Sequence, residues 1–431
     1  MRFLLVSKEG DGLGIARRLV DEGHDVVATI KDHRVKGDYD GLINKIPKLD
    51  LSIPKETIIF FDSSGGGKTA ERLRGQGYSV AFGSVFADQL ELDRATALGL
   101  MEEAGIQVPP SQHFTDWPSG IQHAEAHQGR LCFKSDNNKI TSYVSSGPED
   151  MVEFLRTQEK NGKPADFELQ EFVKGLEIST ELWFDGYDYA RPLNHTFEKK
   201  QLMNDDIGPS SGCAGNVVWA CMEEQCRVCE EGIKRMVPIL RHHQYVGMID
   251  LNSIVNEEGV WGLEFTPRTG YDAFPALLDM LTDELGDLIA RYARGDRSPK
   301  FPIREKGFGA GIRVTIPPYP FVDVDAPKGI AIRNLVRADR AHSYFYNVFL
   351  DDEGQLRSSG AFGAIAVFTS FGDDIFSSIA KCEEIAKRVD LKDRQYRTDL
   401  GSVFEKQYRE FKDAIQIRPP QDVQPSLSLV G

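Results

Sequence analysis

Residues 247–268 read "GMIDLNSIVNEEGVWGLEFTPR", two runs rich in apolar residues joined by "NEEG". Each run alternates as a strand does, and the Asn-Glu-Glu-Gly segment supplies the turn residues of a hairpin. Asp250 and Glu264 lie 14 residues apart, one on each strand, so the turn can bring both carboxylates to one face. With no histidine or thiol beside them they form a hard-oxygen pair, the type Mg2+ prefers when it also takes nucleotide phosphates. An acid facing water is the commoner fate of any one strand carboxylate. Pairing across a turn, with Arg268 alongside, favours a metal and phosphate site.

The rest of the chain is consistent with an enzyme. At 431 residues it is too long for one ordinary core, and two to four domains are expected. A composition of 41% hydrophobic and 27% charged residues, without an apolar run of membrane-spanning length, predicts a globular protein with no membrane partner. The N-terminal "MRFLLVS" turns polar at once, unlike a signal peptide. A net charge of -15 argues against general nucleic-acid binding, which needs clustered Lys and Arg. Six cysteines without regular pairing fit a reducing cytoplasm.

Toward the N-terminus, "RFLLVS" and "KEGDGLGIARRLVDEGHDVVATI" read as strand, glycine turn, helix and strand, a unit that recurs up to "YSVAFG". Strands alternating with helices predict a parallel, Rossmann-like layer over residues 1–90. Its turn at Gly10, Gly12 and Gly14 serves either phosphate binding or tight packing. Next comes 91–165, a helix over "ELDRATALGLMEEAGI" and two short strands around a polar bend. In 166–300, the strands "FELQEFV", "ISTELWFDG", "VGMIDLNSIV" and "GVWGLEFTP" surround a long helix at 222–242. A last unit occupies 301–415, and the Pro-rich 416–431 is expected to be a flexible tail.

Two other motifs compete for attention. "TIIFFDSSGGGKTAERLRGQG", residues 57–77, has the strand, glycine cluster, Lys-Thr and helix of a nucleotide-binding P-loop. That motif requires a glycine five places before Gly67, and the chain has Asp62 there, a carboxylate aimed at the would-be anion. Asp62 then reads as a turn former and Gly65–Gly67 as a strand-to-helix turn, with a P-loop NTPase as the rival reading. Cys221, Cys226 and Cys229 reproduce the Cys-x4-Cys-x2-Cys spacing of plant-type iron–sulfur proteins, which need a fourth cysteine. Within a helical pattern they read as small buried side chains.

The whole chain resembles the phosphoribosylamine-glycine ligase family of ATP-grasp enzymes. "KKQLMNDDIGPSSGCAG" is similar to the family's lysine-bearing Gly-Pro-Asn-Thr-Gly-Gly-Met-Gly loop, "LEFTPRTGYDAFPALL" to its Glu-Phe-Asn-Cys-Arg-Phe-Gly-Asp-Pro-Glu segment, and "YRTDLG" to its C-terminal Arg-x-Asp-Ile-Gly. The resemblance implies an α/β ATP-grasp fold: an N-terminal Rossmann-like pre-ATP-grasp domain (1–90), a small subdomain with a flap (91–165), a large subdomain (166–300) and a small C-terminal α/β domain (301–415). It also implies an ADP-forming carboxylate-amine ligase acting through an acyl phosphate, in purine biosynthesis. ATP and Mg2+ are the implied cofactors, with Mn2+ an alternative. The implied substrates are a small carboxylate such as glycine and an amine such as phosphoribosylamine, and the expected assembly is a monomer or homodimer.

Residue roles follow from the same resemblance. Gln170 falls where the adenine is met and Glu177 where ribose hydroxyls are bound. Arg94 and Lys134 match the phosphate cations, and Asp250 and Glu264 the metal ligands. Arg268 is the candidate holder of the acyl phosphate, with Lys200 a second catalytic candidate. Gly10, Gly12, Ser210, Ser211, Gly212, Gly270 and Asp272 fall on substrate loops. Departures from the family pattern concentrate on those loops and on the flap, here "KSDNNKITS" without glycine. Thr266 replaces the family's second metal-binding Asn. The altered flap and Thr266 also admit a catalytically silent, nucleotide-binding ATP-grasp protein.

Overall fold

The computed structural model describes residues 1–49, 53–135, 140–222, 226–321 and 323–415. Continuous apolar runs build the first sheet: Arg2–Ser7 and Ile58–Phe61 are its centre, in a five-stranded parallel arrangement with Asn44–Lys45, Asp25–Ile30 and Ser79–Ala81. A parallel sheet is covered on both faces, which is why these strands lack polar alternation. Phe3, Leu5, Ile58 and Phe60 pack into the same core as Leu285, Leu288 and Ile289 of the helix Leu285–Arg294, while Leu4, Ile59 and Phe61 pack with Ala70 and Leu73. Glu22 of the first helix accepts from the backbone N–H groups of Leu285 (3.1 Å) and Gly286 (3.0 Å). This cap fastens the N-terminal layer to the rest of the chain.

The largest sheet has eight strands, ordered Val260–Thr266, Val246–Val255, Leu176–Asp185, Leu193–Gln201, Ser210–Cys221, Phe308–Thr315, Ala364–Gly372, Ser343–Phe345. The expected units 166–300 and 301–415 therefore share one sheet, because the strand Phe308–Thr315 pairs directly with Ser210–Cys221. A four-stranded sheet combines Ser111–Phe114, Phe167–Glu171, Leu131–Ser135 and Tyr143–Val144. Phe167–Glu171 thus belongs with the preceding segment, beyond the expected boundary at 165. A three-stranded sheet of Lys328–Ala331, Leu356–Ser359 and Val348–Leu350 completes the set.

Two helical expectations change. Asp93 divides "ELDRATALGLMEEAGI" by capping the helix Arg94–Glu103 through the Thr96 N–H (3.1 Å), leaving Val85–Leu92 as a separate helix. The expected helix 222–242 is broken into Arg227–Glu231, the 3-10 turn Ile233–Met236 and Val237–His242. Gly232 breaks it with φ −107° and ψ −117°; a Cβ there would lie 2.5 Å from the Val228 carbonyl oxygen. Among the described residues no helix is long and apolar enough to cross a membrane. The tail 416–431 and flap positions 136–139 lie outside the described residues.

Candidate active site

The opening hairpin forms as its turn predicts: the Asn256 side-chain oxygen accepts from the N–H groups of Glu258 (2.9 Å) and Gly259 (3.2 Å). Register then decides what the strands present. Glu264 pairs with Asn252 and Thr266 with Asp250, while on the other side Glu181 pairs with Asp250 and Ser179 with Asn252. Directly paired residues share a face, so Ser179, Glu181, Asp250, Asn252, Glu264 and Thr266 look into one cleft. Strand alternation adds Glu177 to that face. Lys200 joins it by bonding Glu177 (2.6 Å), which also accepts from Asn252 Nδ2 (3.0 Å).

Negative charge exceeds positive charge on this face. Burial, followed by repulsion from Glu198, pushes the Asp250 carboxyl up to about 8, with Glu264 adding to the rise. Burial and then Asp250 push Glu181 up to about 8, against the 2.7 Å bond from Trp183 Nε1. Glu198 is pushed up to about 7, chiefly by burial. Lys200 meets the opposite balance: burial works against its charge, but Glu177, Glu264 and Glu198 hold the ammonium protonated well above its usual range. Glu177 responds by titrating below its ordinary value, Lys200 outweighing burial. Carboxylates crowded to this degree fit a divalent cation, which would relieve the repulsion that raises Asp250. The register puts the candidate ligands Asp250 and Glu264 on this face, with Glu181 directly opposite Asp250.

The four-stranded sheet supplies cations and an amide. Leu131, Phe133, Phe167 and Leu169 fill its own core. Their neighbours Cys132, Lys134, Glu168 and Gln170 therefore occupy the other face, with Lys134 paired to Glu168 and Cys132 to Gln170. Gln170 is buried with its Nε2 lacking a hydrogen-bond partner among the described residues, an orphaned donor where an adenine acceptor is expected. Arg94 Nε bonds Glu168 and Nη1 reaches the Leu263 carbonyl at 3.4 Å, while its buried Nη2 has no partner among the described residues. Lys134 contributes to the lowered Glu177 carboxyl, so its charge acts across from the hairpin sheet.

At the other end of the cleft Arg268 is held firmly. Its Nε and Nη2 lie 2.9 and 2.8 Å from Glu91 Oε1, and the guanidinium stacks on the Tyr271 ring at 4.0 Å. Asp272 is fully buried in a two-pronged pair with Arg313; Arg313 bonds the Tyr319 hydroxyl (2.7 Å), which in turn donates to the Ser211 carbonyl (2.7 Å). Ser211 Oγ donates to the Lys200 carbonyl at 2.9 Å, and Gly212 turns the loop with φ +77° beside exposed Ser210. Gly270 lines a small cavity with Asp11, Tyr271 and Tyr346. Asp11 is pushed up to about 7 by burial, then by Asp62 and Glu9.

The glycine turns are already filled by protein. Gly12 N–H donates to Asp62 Oδ2 at 2.6 Å, and Gly10 N–H to Ser7 Oγ at 2.7 Å. A Cβ at Gly12 would stand 2.7 Å from that of Asp62. In the triglycine bend, Gly65 and Gly67 donate to the two carboxylate oxygens of Asp88 at 2.7 and 2.8 Å, and Lys68 is exposed. Gly67 is required for packing, since a Cβ would fall 2.2 Å from the Ser84 carbonyl oxygen. The P-loop reading loses its backbone donors to Asp88.

Comparison with known proteins agrees with this geometry. No family model matches the chain. The phosphoribosylamine-glycine ligase of Corynebacterium ammoniagenes is 25% identical over 355 residues, 78% of this chain and 79% of that protein. The solved phosphoribosylamine-glycine ligase of Thermotoga maritima matches with a TM-score of 0.72 at 18% identity, covering 93% of this chain and all of that one. The chain has the ATP-grasp fold and is similar in sequence to phosphoribosylamine-glycine ligases. The biotin carboxylase domain of Hydrogenobacter thermophilus 2-oxoglutarate carboxylase, solved with MgADP, ADP and bicarbonate, shares the ATP-grasp fold at a TM-score of 0.63 and 12% identity, covering 96% of this chain and 95% of that one.

The ATP-grasp cleft also contains residues that the sequence-based expectations omit. Glu198 stands two places before Lys200 on one strand, and that alternation marks both for the same face. Arg313 is a lone charge in the apolar run "GAGIRVTI", a pattern that signals a buried ion pair. Glu91 and Asp11 reach the cleft only through tertiary packing, and their local sequences carry no such mark.

Proposed function

We propose that this ATP-grasp chain is an ADP-forming ligase that joins a carboxylate to an amine through an acyl phosphate. The observation that carries the reading is the concentration of Glu181, Glu198, Asp250 and Glu264 on one sheet face beside Lys200, with the orphaned Gln170 amide on the other sheet. Asp250 and Glu264 would hold Mg2+ or Mn2+, which supplies charge neutralisation for phosphoryl transfer when bound. Gln170 serves the adenine, Glu177 the ribose, and Arg94 and Lys134 the phosphates. Lys200 and Arg268 face the group being transferred; the Glu91 pair and Tyr271 stack fix the Arg268 plane in advance. Ser210, Ser211, Gly212, Gly270 and Asp272 shape the substrate end, Asp272 by holding Arg313.

Glycine and phosphoribosylamine are the first pair to assay, because the relatives are named for them. Asp62 and Ser7 occupy the donors of the Gly10–Gly12 turn and Asp11 stands beside it, which disfavours an anionic group at that turn. Amines without phosphate therefore belong in the same screen. Purified protein with ATP and Mg2+ is expected to release phosphate only when both a carboxylate and an amine are supplied. Tight nucleotide binding with no turnover across the screen would instead identify a silent ATP-grasp binding protein.

A further inference from the structure

On the opposite side of the eight-stranded sheet from Lys200, four side chains converge that the ligase reading does not use. His195 pairs with Trp219 and Leu193 with Cys221, which places His195 and Cys221 on the face turned away from the cleft. Cys226, at the N-cap of the short helix Arg227–Glu231, and Cys229 within it converge on the same place. All four residues are buried, and one donor atom from each lies within 4.8 Å of every other. Cys221 Sγ and Cys229 Sγ are 3.6 Å apart; His195 Nε2 is 3.4 Å from Cys226 Sγ and 3.9 Å from Cys229 Sγ.

These three lengths are close to the edges of a coordination tetrahedron, and the remaining edges are at most 4.8 Å. With Zn–S near 2.3 Å and Zn–N near 2.0–2.1 Å, ideal angles require S···S of about 3.8 Å and S···N of about 3.6 Å. Donors this close surround a single ion and leave no room for a multi-iron cluster, which disposes of the iron–sulfur spacing in another way. The imidazole is oriented to act as a ligand. Its Nδ1 is 2.9 Å from Thr180 Oγ1, so that bond can fix the tautomer and leave the Nε2 lone pair toward the sulfurs. Trp219 and Phe411 flank the ring with centroids at 5.5 and 5.4 Å.

We propose that His195, Cys221, Cys226 and Cys229 bind one Zn2+ as a closed, structural Cys3His site. Three thiolates and an imidazole are soft-to-borderline donors that select zinc over the Mg2+ of the cleft, and four protein ligands leave no position for substrate. The ion ties the end of strand Ser210–Cys221 and the strand carrying His195 to the helical connection that leads into Val246–Val255. That last strand bears Asp250, so the ion steadies the back of the nucleotide sheet.

The full wild-type chain tests the site without dependence on any variant folding. Protein purified under reductant from zinc-supplemented medium and dialysed against EDTA is expected to contain about one zinc per chain by plasma emission spectrometry. Titration with a mercurial should release it as the thiols react. Cobalt-loaded protein should show thiolate charge-transfer and visible d–d bands of a tetrahedral ion. Cys132→Ser should retain the metal, whereas Cys226→Ser and His195→Ala should lose most of it. Wild-type protein that carries no zinc and gains no tetrahedral cobalt spectrum would overturn the proposal, as would a Cys221–Cys229 disulfide in freshly purified reduced-state preparations.

Discussion

The triglycine bend at Gly65–Gly67 and the hairpin face at Asp250–Glu264 differ in how their charges and polar groups are balanced. The bend looks like an anion cradle, yet its backbone donors already bond Asp88. The hairpin face stays unbalanced: burial first, and then neighbouring carboxylates, push Asp250 and Glu181 both up to about 8. A ligand site is marked by unsatisfied electrostatics rather than by motif shape. The glycine bend is balanced from within the protein; the acid face has the chemistry to take a cation.

The sharpest way to break this comparison is at Glu264. Glu264→Gln keeps the side chain's size and removes its charge, and it should lower ATP-dependent turnover about a hundredfold or more if the residue is a metal ligand. The check is kcat/KM measured at several Mg2+ concentrations, with partial recovery at high Mg2+.

The hairpin is legible in the sequence because its turn and its acids are local in the chain. "NEEG" announces the bend, alternation assigns the faces, and pairing of Glu264 with Asn252 puts the two acids together as expected. The parallel N-terminal layer is legible for the same reason, through "RFLLV" and "IIFF". The broken helix after residue 222 is not: "VCEEGIKRMVPIL" keeps its apolar period through Gly232, and only contact with the Val228 carbonyl shows that the chain turns there. Cys226 and Cys229 also meet His195, a residue on another strand that cysteine spacing could not indicate. Arg268 reads in sequence as the candidate holder of an acyl phosphate, but its Glu91 partner comes from a distant helix and could not be read there.

A second way to sharpen the comparison removes the internal counterpart of the glycine bend. Asp88→Ala leaves the Gly65 and Gly67 N–H groups without their carboxylate and should cost about 1–3 kcal/mol of stability, read as a lower denaturant midpoint. Nucleotide affinity should be unchanged, since the bend holds no phosphate in this account.

A further effect is expected from pH. The Asp250 carboxyl rises from 3.8 to about 8 on folding. Between about pH 4 and 8 the folded chain keeps a proton that the unfolded chain has released, so stability falls as pH rises through that window. Glu181 acts in the same direction. In metal-free buffer the melting temperature should therefore decline from about pH 5 to about pH 8, and Asp250→Asn should flatten the decline. Binding of Mg2+ should release protons and tighten with rising pH over the same range.

The most direct test of the hairpin face as the nucleotide–metal site is Mn2+ binding followed by electron paramagnetic resonance in the presence of ADP. Wild-type protein and Lys68→Ala should bind the Mn2+–nucleotide pair alike, while the Asp250→Asn, Glu264→Gln double variant, shown to be folded by circular dichroism, should lose it. Normal binding by the double variant together with loss in Lys68→Ala would contradict the account and return the phosphates to the glycine bend.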